Sequence, residues 1–157
     1  MLALVLSALL AQAGTSTPAP SEEAPRRMAV IVHGEVPADD LSLGELRKIY
    51  LGDRQFWVGD LRIVLLVPPA RSHERAALLE KVYEKTETQY RHYWIAKVFR
   101  EEAQSAPQRV SSTRAAGELV RQIPGAICVI DAARVPAGVK VLRVDGKAPS
   151  DDGYPLR

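Results

Sequence analysis

Hydrophobic and polar positions follow two patterns along most of this chain. Short apolar runs, which predict buried strands, occupy residues 28–33, 61–67, 126–130 and 139–144. Between them, apolar residues recur every three or four positions, as in helices that bury one face. Strands that alternate with helices predict an α/β fold, in which helices flank a mostly parallel sheet.

Local signals place the ends of these helices. Ser42 and Glu45 have the spacing of a capping box, in which each side chain satisfies a free backbone amide at a helix start. Thr86 is in a position to cap a later helix. One side of that helix is expected to be lined by Tyr90, Trp94, Ile95, Val98 and Phe99, with Tyr90, Trp94 and Phe99 as core residues. Gly52 follows the last apolar position of the first helix, where a glycine commonly ends one.

The two ends of the chain differ in composition from its middle. Residues 1–13 are apolar and close with the small-residue pattern Ala11-Gln12-Ala13, which predicts a secretory signal peptide and a periplasmic or secreted protein. This run is shorter than the roughly 20 residues of a membrane-spanning helix. Residues 14–27 predict a disordered linker, residues 28–146 a single domain, and the polar residues 147–157 a flexible tail.

Composition narrows the classes of function. Charged residues make up 25% of the chain with a formal net charge of +2, and both signs are interleaved, so no basic stripe indicates nucleic acid. Cys128 is the only cysteine and lies within an apolar run, which favours a core position. The histidines His33, His73 and His92 lack ligand spacing, so we expect neither a metal nor another cofactor.

Two segments have the chemistry that an oxyanion needs. The first lies between a strand and its helix, and the second opens a later helix. Open α/β sheets bind ligands beyond the carboxyl ends of their strands, where helix N-termini point. Helix N-termini offer free amides and partial positive charge there. The candidate oxyanion-binding residues are Arg71, Ser72 and Arg75 in one segment and Ser111, Ser112 and Thr113 in the other. The alternative is that Ser72 and Ser112 only cap their own helices.

Three motifs connect the chain to a known family. They are Ile49-Tyr50-Leu51-Gly52, then Trp57 with Gly59, and later Pro124-Gly125-Ala126-Ile127. The chain resembles the phosphate-binding substrate-binding proteins of bacterial ABC transporters, which have the type II periplasmic-binding-protein fold. The resemblance covers residues 28–144 and implies a single lobe of that fold, as in its small members.

The expected ligand loop departs from this family's pattern. Phosphate-binding members begin the first helix with Ser-Gly-Thr, whereas here Ser72 is followed by His73 and Glu74. Ser72 with Arg75 fits the form found in small single-lobe relatives. The Glu74 carboxylate would compete with an anion for the same helix end. If Glu74 is buried in the hollow between the two segments, we expect no receptor role.

We therefore expect an exported, non-catalytic solute-binding-like protein. The resemblance implies phosphate or a similar oxyanion as its ligand and an association with ABC-type phosphate uptake. The alternative is an envelope protein–protein interaction module with no small-molecule ligand, which binds a partner or a second copy through the face of the lobe. An enzyme is not expected, because Ser72 and His73 are adjacent at a helix start and point apart.

Overall fold

The computed structural model of the protein describes residues 26–157. The expected signal peptide at 1–13 and nearly all of the expected linker at 14–27 lie outside these residues. The described part is built on a six-stranded sheet in the order β2-β6-β1-β5-β3-β4. The strands are β1 (Met28–Val32), β2 (Asp40–Leu41), β3 (Val64–Val67), β4 (Gln108–Arg109), β5 (Ala126–Asp131) and β6 (Lys140–Val144).

The sheet is mixed but mostly parallel. Strand β1 runs antiparallel to both of its neighbours, β5 and β6. The other pairings, β2 with β6, β3 with β5 and β3 with β4, are parallel. The predicted α/β class with a mostly parallel sheet is therefore confirmed. The carboxyl ends of β3 and β4 lie side by side, so the loops that follow them open at the same edge.

Helices cover both faces of this sheet. They are α1 (Leu43–Tyr50), α2 (His73–Ala77), α3 (Glu87–Phe99) and α4 (Thr113–Gln122). After α2 the chain continues as a π-helical segment, Leu78–Tyr83, and a short 3-10 turn spans Ala132–Arg134. The capping box predicted at Ser42 and the cap predicted at Thr86 are both present, and Thr86 forms a capping box with Gln89. None of the helices within residues 26–157 is long and apolar enough to cross a bilayer.

The core has one part on each face of the sheet. Side chains alternate along a strand, so Val30 and Val32 of β1 pack on one face and Ile31 packs on the other. The first part includes α1 and the π-helical segment, and the second includes Ala116 and Val120 of α4. Because both faces are covered, β1 and β5 are apolar at nearly every position.

The motifs that carried the family resemblance meet in space. The Trp57 indole Nε1 donates a 3.0 Å hydrogen bond to the Gly125 carbonyl, which joins two of the motifs. Gly125 has φ +79°, and a Cβ there would lie 2.0 Å from the Arg62 carbonyl oxygen. Gly52 ends α1 with φ +73°, and a Cβ there would lie 2.9 Å from the Trp94 ring. These glycines are therefore needed for packing and backbone conformation.

The strand before the second helix is shorter than predicted. The apolar pattern predicts a strand from residue 61, but β3 begins at Val64. Residues before it turn back on the preceding loop, where the Trp57 amide donates to the Leu61 carbonyl and the Ile63 amide donates to the Gln55 carbonyl. The two-residue strands β2 and β4 carry no periodic signal, so the sequence does not predict them.

One face of α3 differs from the prediction. Tyr90 and Trp94 are buried as predicted, but Ile95 is 67% exposed and Phe99 is 87% exposed. The predicted core position of Phe99 is therefore wrong. Apolar residues cover a wide arc of this helix, and only the part that contains Tyr90 and Trp94 faces the core.

The C-terminal segment, expected as a flexible tail, packs against the domain. Tyr154 and Leu156 are buried in the main core cluster. The Met28 amide donates a 2.9 Å hydrogen bond to the Leu156 carbonyl, so the segment is fixed beside the start of β1. Residues 147–157 are mostly polar, so the sequence does not indicate that Tyr154 and Leu156 are buried.

Candidate functional site

The starts of α2 and α4 lie next to each other at the edge where β3 and β4 end. The Thr113 hydroxyl donates a 2.9 Å hydrogen bond to Glu74 Oε1, which directly connects the two helix starts. Glu74 is only 7% exposed, although it carries a carboxyl group. The two segments that the sequence singled out are therefore neighbours, and we call the surface formed by 71–75 and 111–113 the rim.

The serines at the rim cap their own helices. Ser72 Oγ accepts a 3.0 Å hydrogen bond from the Arg75 amide, and Ser112 Oγ accepts one of the same length from the Ala115 amide. This is the structural role that the sequence left open as the alternative. Each hydroxyl keeps its own hydrogen as a donor, so capping does not exclude a contact with an anion.

Arg75, which is expected from the sequence to bind an oxyanion, pairs instead with a carboxylate of the protein. Its Nε and Nη2 donate to the two carboxylate oxygens of Glu87 at 3.0 and 2.8 Å. Its guanidinium carbon lies 4.1 Å from the centre of the Tyr90 ring. The hydrogen bonds from Arg75 hold the pKa of Glu87 below its ordinary value. The charge of Arg75 is thus largely balanced within the protein.

Arg71 and Ser111 remain exposed at the rim. Arg71 has φ +66°, a left-handed backbone conformation at the turn before Ser72. Neither side chain forms a hydrogen bond or ion pair with the described part of the chain that would hold it elsewhere. Of the six candidate residues, these two are the ones whose side chains stay in solvent without a defined internal role.

Two features of the rim differ from the expectation. Glu87 lies 12 residues from Arg75 along the chain, and no spacing rule could have paired them. The sequence does indicate that Glu74 lies at a helix start, because an acidic residue there is attracted to the helix N-terminus. Its burial and its contact with Thr113 depend on how α2 and α4 pack, which a local pattern does not specify.

The described residues hold no cluster of three or more His, Cys, Asp or Glu side chains with the geometry of a metal site. The chemistry available at the rim is that of helix N-termini, hydroxyl groups and an exposed arginine. Such groups donate hydrogen bonds to anions. The carboxylate of Glu74 at the same place opposes them.

Comparison with known proteins supports the fold. No family model and no curated protein matches the chain. A phosphate ABC transporter substrate-binding protein from Clostridium perfringens, solved with bound phosphate, is similar at 26% identity and TM-score 0.64, over 79% of this chain and 47% of that chain.

Two further solved structures agree with it. A phosphate transport receptor of the ABC type from Vibrio cholerae shows 22% identity and TM-score 0.67, over 83% of this chain and 53% of that chain. PstS from Borrelia burgdorferi shows 19% identity and TM-score 0.65, over 83% and 54%. The chain thus has the periplasmic-binding-protein fold and spans about half the length of these relatives. The resemblance to phosphate ABC transporter substrate-binding proteins is confirmed.

Proposed function

We propose that this chain is an exported, non-catalytic binding lobe of the phosphate-receptor type, associated with ABC-type phosphate uptake. It binds phosphate or a similar oxyanion weakly at the rim, and a partner surface that completes the cleft would strengthen this binding. The observation that carries the proposal is the contact between Thr113 and Glu74, because it places two helix N-termini at one point. The similarity to phosphate receptors supports the class of ligand.

The same contact limits the affinity. The Glu74 carboxylate already lies between the starts of α2 and α4, near their two positive ends, and it repels a second anion. Arg75 cannot compensate, because Glu87 holds its guanidinium. Glu74 is buried between the two helix starts, which is the arrangement for which the sequence predicts no receptor role. The proposed binding is therefore weak.

Calorimetric titration of the purified chain with phosphate and sulfate tests the proposal. We expect a dissociation constant on the order of 1 mM, or about −4 kcal/mol, for phosphate. Sodium chloride at matched ionic strength is the control, since a purely screening effect would appear with chloride as well. Heat that saturates with phosphate but not with chloride supports the proposal. A titration without heat up to several millimolar phosphate contradicts it.

A second candidate is an envelope protein–protein interaction module without a small-molecule ligand. This alternative is favoured because Glu74 accepts the hydrogen bond from Thr113 and Glu87 neutralises Arg75, so these groups already have partners within the protein. Under this alternative, phosphate leaves the melting temperature unchanged and a protein partner raises it. Mass measurement by light scattering after size exclusion then shows whether a second copy of the chain is that partner.

A further inference from the structure

A groove separates α3 from the segment 106–109, and its composition points to a ligand other than phosphate. Its volume is about 610 Å³, which is in the range of small-molecule sites. Tyr90 and Trp94 line it from α3, and Pro107 lines it from the opposite side. The groove shares only Arg75 with the rim, and Arg75 and Arg109 bring its cationic end close to the starts of α2 and α4.

The groove is polarised along the helix. Glu87, Arg91, Ile95 and Phe99 follow one another at intervals of four residues, so they form one stripe on α3. The first half of this stripe is charged, and the second half is apolar. Residues 91 and 99 are eight positions apart, which corresponds to about 12 Å along a helix.

The charged end has an excess of arginine. Arg75 and Glu87 form an ion pair and neutralise each other. Arg75 lowers the pKa of the Glu87 carboxyl most, and the charges of Arg91 and Arg109 lower it further, so both lie near this pair. Arg91 and Arg109 are exposed, and neither side chain forms a hydrogen bond or ion pair with any of residues 26–157. This end of the groove therefore carries uncompensated positive charge.

A buried donor at the same end has no partner. Arg75 is nine-tenths buried and lines the groove, and its Nη1 forms no hydrogen bond with the described residues. A buried donor without a partner is costly in a native protein. At the other end, Ile95 and Phe99 expose 67% and 87% of their surface, although the large apolar side chains of a helix usually pack against the core.

We infer that this groove binds an amphipathic anion, a molecule with an apolar body up to about 12 Å long and one anionic group at its end. The apolar body lies along Trp94, Ile95 and Phe99. The anionic group pairs with Arg91 and Arg109. Inorganic phosphate lacks the apolar body, so this site is independent of the oxyanion site proposed at the rim.

The test uses two fluorescent probes on the full chain. The first is 8-anilinonaphthalene-1-sulfonate, an aromatic anion, and the second is N-phenyl-1-naphthylamine, which has a similar body without the charge. We expect the sulfonate to bind with a stoichiometry of one and at least ~10-fold more tightly than the neutral amine. Phosphate at about 10 mM, matched for ionic strength with chloride, is expected not to displace it more than chloride does.

Four variants locate the binding. The double variant Arg91→Gln/Arg109→Gln is expected to weaken sulfonate binding at least ~10-fold and to leave the neutral probe unchanged. Phe99→Ser is expected to weaken both probes. Arg134→Gln and Val58→Ser are the matched controls, since both side chains are exposed away from the groove. Each control is expected to bind like the parent chain.

Three binding results overturn the inference. They are equal affinity for the charged and neutral probes, unchanged sulfonate affinity in the double arginine variant, and a loss of binding in Val58→Ser equal to that in Phe99→Ser. A chain that forms a dimer which Phe99→Ser dissociates would also overturn it, because a second copy would then cover the groove. All four outcomes are independent of whether phosphate binds at the rim.

Discussion

Thr113 at the start of α4 donates a 2.9 Å hydrogen bond to Glu74 at the start of α2. Through this contact a carboxylate of the protein itself lies where two helix N-termini converge. The family resemblance implies glycine and threonine after the serine, whereas this chain has His73 and Glu74. The contact therefore combines the geometry of an anion site with a built-in competitor.

The pair formed by Arg75 and Glu87 is expected to be structural. Arg75→Met removes a buried guanidinium with two hydrogen bonds and a stacking contact on Tyr90, and we expect a loss of about 2–4 kcal/mol in the free energy of unfolding. Glu87→Gln keeps one acceptor on a half-exposed side chain and should cost about 1 kcal/mol. Urea unfolding measures both. Equal, negligible losses would show that the pair contributes nothing.

Gly125 is expected to be the least replaceable glycine of the motifs. Gly125→Ala requires a left-handed alanine and places its Cβ against the Arg62 carbonyl, so we expect a cost above about 3 kcal/mol. Gly59 is the matched control, because it has φ +83° but a Cβ there would have no atom within 4 Å. Gly59→Ala should cost about 1 kcal/mol. If the two variants unfold at the same urea concentration, the close approach of Gly125 to the Arg62 carbonyl does not add to the cost of the substitution.

Because Cys128 is buried, we expect the protein to lose stability at alkaline pH. Burial raises the pKa of its thiol from 9.0 to about 12. The unfolded chain then releases this proton between pH 9 and 12 while the folded chain keeps it, so stability falls as pH rises through this interval. The slope from one such group is about 1.4 kcal/mol per pH unit.

Unfolding of Cys128→Ala between about pH 9 and pH 11 checks this slope. Tyr50 and Tyr83, whose pKa values burial also raises, contribute to the parent and the variant alike. The parent should therefore lose stability more steeply than Cys128→Ala by that amount. Parallel curves would mean that the thiol is not buried in solution.

The C-terminal anchor is expected to contribute to stability. Leu156→Ala removes a fully buried side chain from the main core, and we expect a loss of about 2–4 kcal/mol. Arg157→Ala, the exposed neighbour, should change the free energy of unfolding by less than about 0.5 kcal/mol. A Leu156→Ala variant as stable as the parent would show that residues 147–157 do not pack against the core in solution.

Local signals in the sequence predict local structure well. The capping boxes at Ser42 and Thr86 and the buried runs of β1 and β5 follow from patterns within a few residues. These features depend on backbone geometry, which short-range patterns specify. The close approach of the segments that contain Ser72 and Ser112 depends in addition on β4, a strand parallel to β3 that the sequence does not predict.

The features that the sequence does not predict are those set by packing. The apolar positions of α3 span so wide an arc that periodicity does not decide whether Trp94 or Phe99 faces the core. The pairing of Arg75 with Glu87 joins two helices and has no sequence spacing of its own. The same holds for Leu156, which is one apolar residue in a polar segment.

Phosphate titration of Glu74→Gln beside the parent chain tests the central claim most directly. Glutamine keeps an acceptor for the Thr113 hydroxyl and removes the competing charge. We predict that phosphate affinity rises about 10-fold, or roughly 1.4 kcal/mol, in this variant and falls again in Glu74→Gln/Thr113→Val. If Glu74→Gln folds like the parent and its affinity for phosphate is unchanged, the rim is not an anion site.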